Sequence, residues 1–320
     1  MQAFDSTLTK YRDNSLHAEK TAIATPKKDK TVAIDYLFIF DSFVEYKASN
    51  GSKTNTLRLY EVYRKLLATL SDFSPLQVKA QLLKVTTEQQ TKKVLQYLSA
   101  ACDFGIRFNL CPANPYKGMS DEMVKPKWQT EPTPCAFSAS ELQEVFEGFA
   151  NHDHHCYYLP FVRFLAATGC RPSEAVGLQW ENISDDCKAI TFNGSLQYIA
   201  GVWVTEVGSK ANRKRVFPCN EALQALLKSM KRDTDKPTDL VFKSPRAGAI
   251  NYNNFGKRIW HSIADTIKVS TPYSLRDTFI SQQIAKGVPI AIIAKWCDNS
   301  VVMIEKYYCD ASSFKEVLPK

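Results

Sequence analysis

The stretch that decides the fold of the second half of the chain is ATGCRPSEAVGLQW, residues 167–180. Apolar residues at helical spacing from about Tyr157 to Thr168 predict a helix, and Gly169 is a residue type that commonly ends one. Arg171 follows at the start of the next helix. Its guanidinium would lie beside free backbone N–H groups, a place that attracts anions.

The segments on either side predict the rest of this domain. SASE at residues 138–141 resembles a capped helix start. Short β-prone runs separated by Gly and Asn predict a small antiparallel sheet, and helical periodicity then returns. The predicted strands are 189–192, 201–205 and 215–217, and the predicted helices are 221–230, 254–267, 275–286 and 290–296. We therefore expect a mainly α-helical fold with a small antiparallel β-sheet, in the α+β class.

The first third of the chain has a different organisation. From about residue 33 to residue 118, apolar residues recur at threes and fours, which predicts a helical bundle. Residues 119–135 carry three prolines among polar residues, which is typical of an interdomain linker. Residues 1–32 are polar without an apolar period, so we expect a flexible N-terminal arm. The second domain would span residues 136–320.

The charge balance suits a polyanionic partner without requiring one. Lys plus Arg total 41 against 33 Asp plus Glu, a net charge of +8. Hydrophobic residues make up 44% and charged residues 23%, which are ordinary globular values. No run approaches the roughly 18 apolar residues that a membrane helix needs, so no membrane partner is expected. The nine cysteines include no CxxC pair, and we expect a reduced, cytoplasmic, nucleoid-associated protein.

Neither cofactors nor metals are expected. The glycines are spread singly, with no phosphate-cradling loop, so ATP and dinucleotide cofactors are unsupported. NHDHHC at residues 151–156 is the type of cluster that can bind Zn²⁺, but no second ligand group with recognisable spacing follows it. Cys170 and Cys297 lack a partner histidine in a recognisable motif, which favours packing over thiol catalysis.

Three further segments carry chemistry-bearing residues. They are GSKANRKRVFP at 208–218, TPYSLRDTF at 271–279 and IAKWCDNSVVMIEKYY at 293–308. With ATGCRPSEAVGLQW they resemble, in the same order, the sequence boxes of the tyrosine recombinase (phage integrase) family. CPANPY at 111–116 is similar to the turn that ends the core-binding domain of that family. The resemblance covers roughly residues 33–310.

The resemblance implies a role for four charged residues in these segments. Transesterification at a DNA phosphodiester without a metal needs a covalent nucleophile, cations for the phosphate oxygens and an acid for the leaving oxygen. By resemblance, Arg171 and Arg276 are the two catalytic arginines and Lys210 is the general acid. Glu174 is similar to the acidic residue that holds the first arginine in place.

The same resemblance makes Tyr308 the nucleophile. Tyr307 is the alternative if the closing box is shifted by one residue. Tyr273 and Asn299 stand where the family usually has histidines, and neither side chain readily exchanges a proton near neutral pH. We expect both to donate hydrogen bonds to phosphate oxygens. The departure leaves reduced activity and inactivity both open.

The resemblance implies a site-specific recombinase that cleaves and rejoins double-stranded DNA through a 3′-phosphotyrosyl intermediate and integrates or excises a mobile element. A helical core-binding domain and a mixed catalytic domain of the DNA breaking-rejoining type would clamp the duplex. Exchange between two duplexes needs four active sites, so a homotetramer on specific recombination sites is expected, with accessory DNA-bending proteins left open. Arg213, Lys214 and Arg215 are expected to bind DNA.

Several alternatives remain open. Arg171 and Glu174 could form an ordinary i,i+3 surface pair, and the basic run around Lys210 could be only a phosphate-contacting hairpin tip. A type IB topoisomerase uses similar chemistry. A DNA-binding relative of the same fold with decayed catalysis is a second functional class. A metal-dependent nuclease is a third, for which the chain lacks a paired-carboxylate motif.

Overall fold

The computed structural model describes residues 34–123, 135–199, 201–208, 214–264 and 271–309. They form two compact units. One holds the described residues of Met1–Ser52 together with Tyr60–Ser120, and the other holds Lys53–Leu59 and the described residues of Asp121–Lys320. The predicted N-terminal arm and most of the predicted linker lie outside the described residues, so both stay predictions.

The first unit is helical, as its apolar spacing predicts. The helices are α1 Tyr36–Ser49, α2 Thr54–Leu67, which begins within Lys53–Leu59, α3 Pro75–Val85 and α4 Glu88–Arg107. Asp35 and Thr87 begin α1 and α4, and the oxygen of each side chain accepts a hydrogen bond from the backbone N–H three residues on. Phe40, Leu67 and Leu98 are fully buried. The predicted apolar faces therefore form the core of this unit.

The second unit is also mainly helical. Its longer helices are α5 Ala139–Ala150, α6 Leu159–Thr168, α8 Glu221–Met230, α11 Ser274–Ala285, α12 Ile290–Cys297 and α13 Val301–Tyr308. The short ones are α7 Pro172–Val176, α9 Tyr252–Asn254 and α10 His261–Ala264, with a π-helical turn Phe255–Trp260 between the last two. The predicted cap of α5 is confirmed, because Ser138 and Glu141 bind each other's backbone N–H groups reciprocally.

Within the described residues, four strands form two separate two-stranded antiparallel sheets. The strands are β1 Ala189–Phe192, β2 Gly194–Ile199, β3 Val202–Val207 and β4 Arg215–Pro218. In the first sheet β1 pairs with β4, and in the second β2 pairs with β3. Strand β2 was not predicted, because Gly194, Ser195 and Gln197 have low β propensity and pairing with β3 stabilises it. The predicted fold class, mainly α with a small antiparallel β-sheet, is confirmed, except that the described strands form two small sheets instead of one.

The core of the second unit forms around α6 and α11, which pack against each other. Phe164 of α6 and Leu275 and Ile280 of α11 are fully buried within one hydrophobic cluster. Among the described helices, none has the length and apolarity to cross a membrane.

Gly169 ends α6, as predicted, and its position explains why no other residue fits. It lies in the left-handed region with φ 58°, which costs an L-residue about 1–2 kcal/mol. A Cβ atom here would also come within 2.4 Å of the Phe279 ring on α11. The close approach of α6 to α11 therefore depends on the absence of a side chain at this residue.

We predict that Gly169→Ala lowers the free energy of unfolding by about 1–2 kcal/mol for the backbone conformation and a further ~1–3 kcal/mol for displacing Phe279. Gly287→Ala is the matched control, since Gly287 has φ 75° with open space around it, so only the first cost applies. Urea denaturation measures both. Equal losses for the two variants would contradict the close packing of α6 against α11.

Candidate active site

Arg171 lies in the turn between α6 and α7, where the sequence predicts it. Its backbone N–H donates to Oε2 of Glu174 at 2.8 Å, and its Nη1 donates to Oε1 of the same carboxylate at 3.3 Å. Glu174 thus holds both the backbone and the side chain of Arg171. The alternative of an ordinary surface pair is excluded, because Glu174 is only 3% exposed.

A second arginine, Arg215 of β4, binds the other side of Glu174. Its Nη1 and Nη2 donate to the two carboxylate oxygens at 2.8 and 2.6 Å, and its Nε donates to the carbonyl of Trp296 at 2.8 Å. The guanidinium lies 4.3 Å from the centroid of the Phe192 ring. Arg215 was expected to bind DNA. That expectation is wrong, because its side chain is buried and engaged inside the protein.

Arg276 projects from the first turn of α11, as predicted. Its Nη1 donates to the carbonyl of Gly169 at 2.6 Å, and its Nη2 donates to the carbonyl of Cys297 at 2.7 Å. The residue is 4% exposed. These two bonds use two of the five N–H donors of a guanidinium, and they join the end of α6 to the end of α12.

Three arginines therefore meet at one turn, the C-terminal end of α12. They bind three successive carbonyls. The pairs are Arg215 with Trp296, Arg276 with Cys297 and Arg171 with Asp298, at 2.8, 2.7 and 2.6 Å. The last carbonyls of a helix have no partner within the helix and carry its partial negative charge, so cations are favoured there. The structure thus brings the two predicted catalytic arginines together.

Asp298 presents its side chain as well as its carbonyl to Arg171. Its Oδ2 accepts from Nη1 of Arg171 at 2.5 Å. Asp298 has φ 51°, a left-handed conformation that aspartate tolerates better than most non-glycine residues. A carboxylate thus faces the guanidinium that the resemblance assigns to a phosphate.

Tyr308 is the last residue of α13, and its hydroxyl donates a hydrogen bond to Oδ1 of Asp277 at 2.5 Å. Tyr308 and Tyr307 are both half-buried, so neither tyrosine is sealed in the interior. The Tyr307 ring lies instead beside Lys306, with 5.4 Å between the ammonium and the ring centroid. Of the two tyrosines, Tyr308 is thus the one bound to a residue next to Arg276.

The pKa values of Asp277 and Tyr308 are both raised. Burial raises the pKa of Tyr308, the hydrogen bond to Asp277 raises it further, and the charge of Arg276 acts in the opposite direction. Burial also raises the pKa of Asp277, while Tyr308, Arg276 and the backbone N–H of Cys135 oppose that shift. Asp277 was not predicted as a site residue. The available signal was a carboxyl group directly after Arg276 in the first turn of a predicted helix.

Tyr273 and Asn299 occupy different surroundings. Tyr273 is 43% exposed and, with Arg171, lines a cavity of about 240 Å³. The side chain of Asn299 accepts a hydrogen bond from the backbone N–H of Ser300 at 3.0 Å, in the turn between α12 and α13. Tyr273 thus shares a surface with Arg171, whereas Asn299 shapes the turn that follows the arginine cluster.

The basic hairpin segment is only partly described. Lys210 and Arg213 lie outside the described residues, so their roles stay predictions. Lys214, just before β4, is exposed, and its expected DNA contact also stays a prediction.

Cys170 and Cys297 pack in the protein interior, and two histidines of the 151–156 loop pack against each other. Cys170 and Cys297 are buried, and burial raises the pKa of the first thiol to about 12 and of the second to about 11, so both are protonated and poor nucleophiles near neutral pH. In the 151–156 loop, His152 and His155 stack with ring centroids 4.2 Å apart. Within the described ranges, no three or more His, Cys, Asp or Glu side chains are grouped to hold a metal ion.

Solved structures with the same fold include two DNA-bound integrases. The Tn1549 transposon integrase in complex with a circular intermediate DNA matches with a TM-score of 0.72 at 15% identity, over 87% of this chain and 96% of that one. The lambda integrase tetramer bound to a Holliday junction matches with a TM-score of 0.62 at 15% identity, over 92% of this chain and 86% of that one. At this identity the likeness shows the fold.

Sequence comparisons give the family. No curated protein matches the chain. The family model described as the phage integrase family matches residues 136–313, which include Arg171, Arg276 and Tyr308. The chain therefore belongs to the phage integrase family of tyrosine recombinases.

Proposed function

We propose that this chain is a site-specific DNA recombinase that cleaves and rejoins DNA through a 3′-phosphotyrosyl intermediate at Tyr308. The observation that carries the proposal is the meeting of Arg171 and Arg276 at the end of α12, with Tyr308 bound to the residue after Arg276. Two cations beside a phenol are the groups that a metal-free phosphoryl transfer requires.

The proposed reaction proceeds by in-line displacement. The Tyr308 oxygen attacks phosphorus while Arg171 and Arg276 stabilise the charge on the non-bridging oxygens, and Lys210 protonates the leaving 5′ oxygen. Tyr273, exposed beside Arg171, donates a further hydrogen bond to the phosphate, and Asn299 is assigned the same role. The phosphotyrosyl bond retains the energy of the phosphodiester, so a second 5′-hydroxyl reverses the step without a cofactor.

The proposed partner is double-stranded DNA carrying specific recombination sites, and the proposed assembly is a homotetramer. Two structurally similar integrases support both points, because one is bound to a circular intermediate DNA and the other is a tetramer on a Holliday junction. The role in integrating or excising a mobile element rests on the same comparison. The cytoplasm, on the nucleoid, is the proposed location.

Two observations favour a second candidate, a DNA-binding relative with decayed catalysis. The carboxylate of Asp298 lies 2.5 Å from Arg171, and the usual histidine positions hold Tyr273 and Asn299. A binder of this kind would recognise the same DNA and form no covalent bond with it. The trapping experiment below separates the two candidates.

We predict that the full chain becomes covalently attached to DNA through Tyr308. The probe is a library of nicked duplexes with a randomised central segment, in which the nick lets the cleaved fragment diffuse away and prevents rejoining. Denaturing electrophoresis detects the complex, and peptide mass spectrometry locates the linked residue. EDTA should leave the yield unchanged, because guanidinium groups supply the positive charge.

Matched tyrosine variants decide which residue carries the DNA. Tyr308→Phe should abolish the covalent complex, whereas Tyr307→Phe should retain it. Non-covalent binding without any trapped wild-type complex would favour the decayed binder. Relaxation of supercoiled DNA without site preference would favour a topoisomerase.

Arg171 can act only if its position is maintained, and the buried Glu174–Arg215 pair maintains it. Removing Arg215 leaves the Glu174 carboxylate buried without its strongest partner, and breaking a buried pair in this way costs about 3–5 kcal/mol. Arg215 therefore has a positioning role, since it acts on Arg171 through Glu174.

We predict that Arg215→Met lowers the free energy of unfolding by about 3–5 kcal/mol. The control is Lys188→Met, which removes an ion pair with Asp186 whose side chains are 71% and 54% exposed. That change should cost far less, because solvent screens an exposed ion pair. Urea denaturation measures both variants, and a loss for Arg215→Met no larger than the control's would contradict the stabilising role of the buried Glu174–Arg215 pair.

A further inference from the structure

The hydroxyl of Tyr308 has a defined proton acceptor. Its hydrogen bond ends on Oδ1 of Asp277 at 2.5 Å. An ionised carboxylate only accepts hydrogen bonds, so the phenol is the donor. Both side chains are held by helices, Asp277 by the first turn of α11 and Tyr308 by the last turn of α13. The contact therefore joins two ordered elements.

The proposed reaction needs such an acceptor. The attacking species is the phenolate, yet burial raises the pKa of Tyr308, so near neutral pH the phenol keeps its proton. Tyr273 and Asn299 occupy the positions where an imidazole would serve as base, and neither a phenol nor an amide accepts a proton readily at that pH. Among the described residues close to the Tyr308 hydroxyl, Asp277 is the carboxylate that binds it.

We propose that Asp277 is the general base that takes the proton from Tyr308, an inference that rests on the proposed function. As the bond from Tyr308 Oη to phosphorus forms, the phenolic proton moves to Oδ1 of Asp277. The bond from phosphorus to the 5′ oxygen breaks, and that oxygen receives the proton of Lys210. In rejoining, Lys210 takes the proton of the attacking 5′-hydroxyl and Asp277 returns its own to Tyr308.

The surroundings of Asp277 suit this role. The titratable and charged groups that act on it are Arg276 on its own helix and Tyr308 on α13, and the backbone N–H of Cys135 donates to it. Burial raises its pKa, which makes the carboxylate a stronger base than an exposed aspartate, while the other three groups favour its ionised form. Because Arg276 precedes it directly, the base and a phosphate-binding cation share one helical turn.

The test is the rate of covalent complex formation by Asp277→Asn, measured on the duplex most enriched from the trapping library. The variant keeps the shape of the side chain and removes its basicity. We expect the rate to fall about 100- to 10 000-fold, with unchanged non-covalent DNA binding. Asp186→Asn, which alters an exposed carboxylate beside β1, is the control and should react at the wild-type rate.

Two further measurements separate proton transfer from a structural role. The wild-type rate should rise with pH through the pKa of Asp277, since only the carboxylate is active, and Asp277→Asn should lose that dependence. Fluorotyrosine at position 308, whose phenol is more acidic, should recover much of the rate in Asp277→Asn. If Asp277→Asn does not fold, Asp277→Glu takes its place: its rate should keep the rise with pH that a carboxylate base gives, and a rate independent of pH would overturn the inference.

The possible results separate a failure of the Asp277 inference from a failure of the proposed recombinase function. If wild type forms the Tyr308 adduct and Asp277→Asn reacts as fast or faster, Asp277 is not the base, while the proposed function stands. A slow Asp277→Asn that fluorotyrosine fails to accelerate also overturns the inference. If wild type forms no adduct at Tyr308, the proposed function and this inference both fail.

Discussion

Three guanidinium groups bind three successive carbonyls at the end of α12, and the arrangement of the candidate site depends on that contact. The carbonyls at a helix end lack partners within the helix, and the arginines, two of them buried and Arg171 half-buried, need acceptors. The guanidinium groups donate hydrogen bonds to these carbonyls at N···O distances of 2.6–2.8 Å, so each group supplies the partner that the other lacks. The elements α7, β4 and α11, which come from distant parts of the sequence, are thereby fixed around a single turn.

The position of Tyr308 follows from this turn. The residues after Asp298 lead directly into α13, whose first turn is capped by Ser300, so the arginines that hold the turn also orient the helix that ends at Tyr308. Asp277 binds the far end of that helix from α11. The helix that ends at Tyr308, the proposed nucleophile, is thus held at both ends by groups that adjoin Arg171 and Arg276, the proposed catalytic arginines.

Contacts between residues that are close in the sequence were predictable, whereas contacts between residues far apart in the sequence were not. The helix end at Gly169 followed from the sequence pattern, and the family resemblance implied the contact of Glu174 with Arg171; both are determined within a few residues. The Asp277–Tyr308 contact joins residues 31 positions apart, so no local pattern reveals it. Arg215 was misassigned because it belongs to a basic run, although strand alternation places it on the same face as buried Phe217 and opposite exposed Val216.

The decisive experiment is a structure of the full chain captured on nicked DNA. We expect a bond from Tyr308 Oη to phosphorus, with phosphate oxygens within about 3 Å of the guanidiniums of Arg171 and Arg276. Arg215 should still bind Glu174. A captured phosphate that contacts neither Arg171 nor Arg276, or that is joined to another residue, would show that these groups do not form the active site.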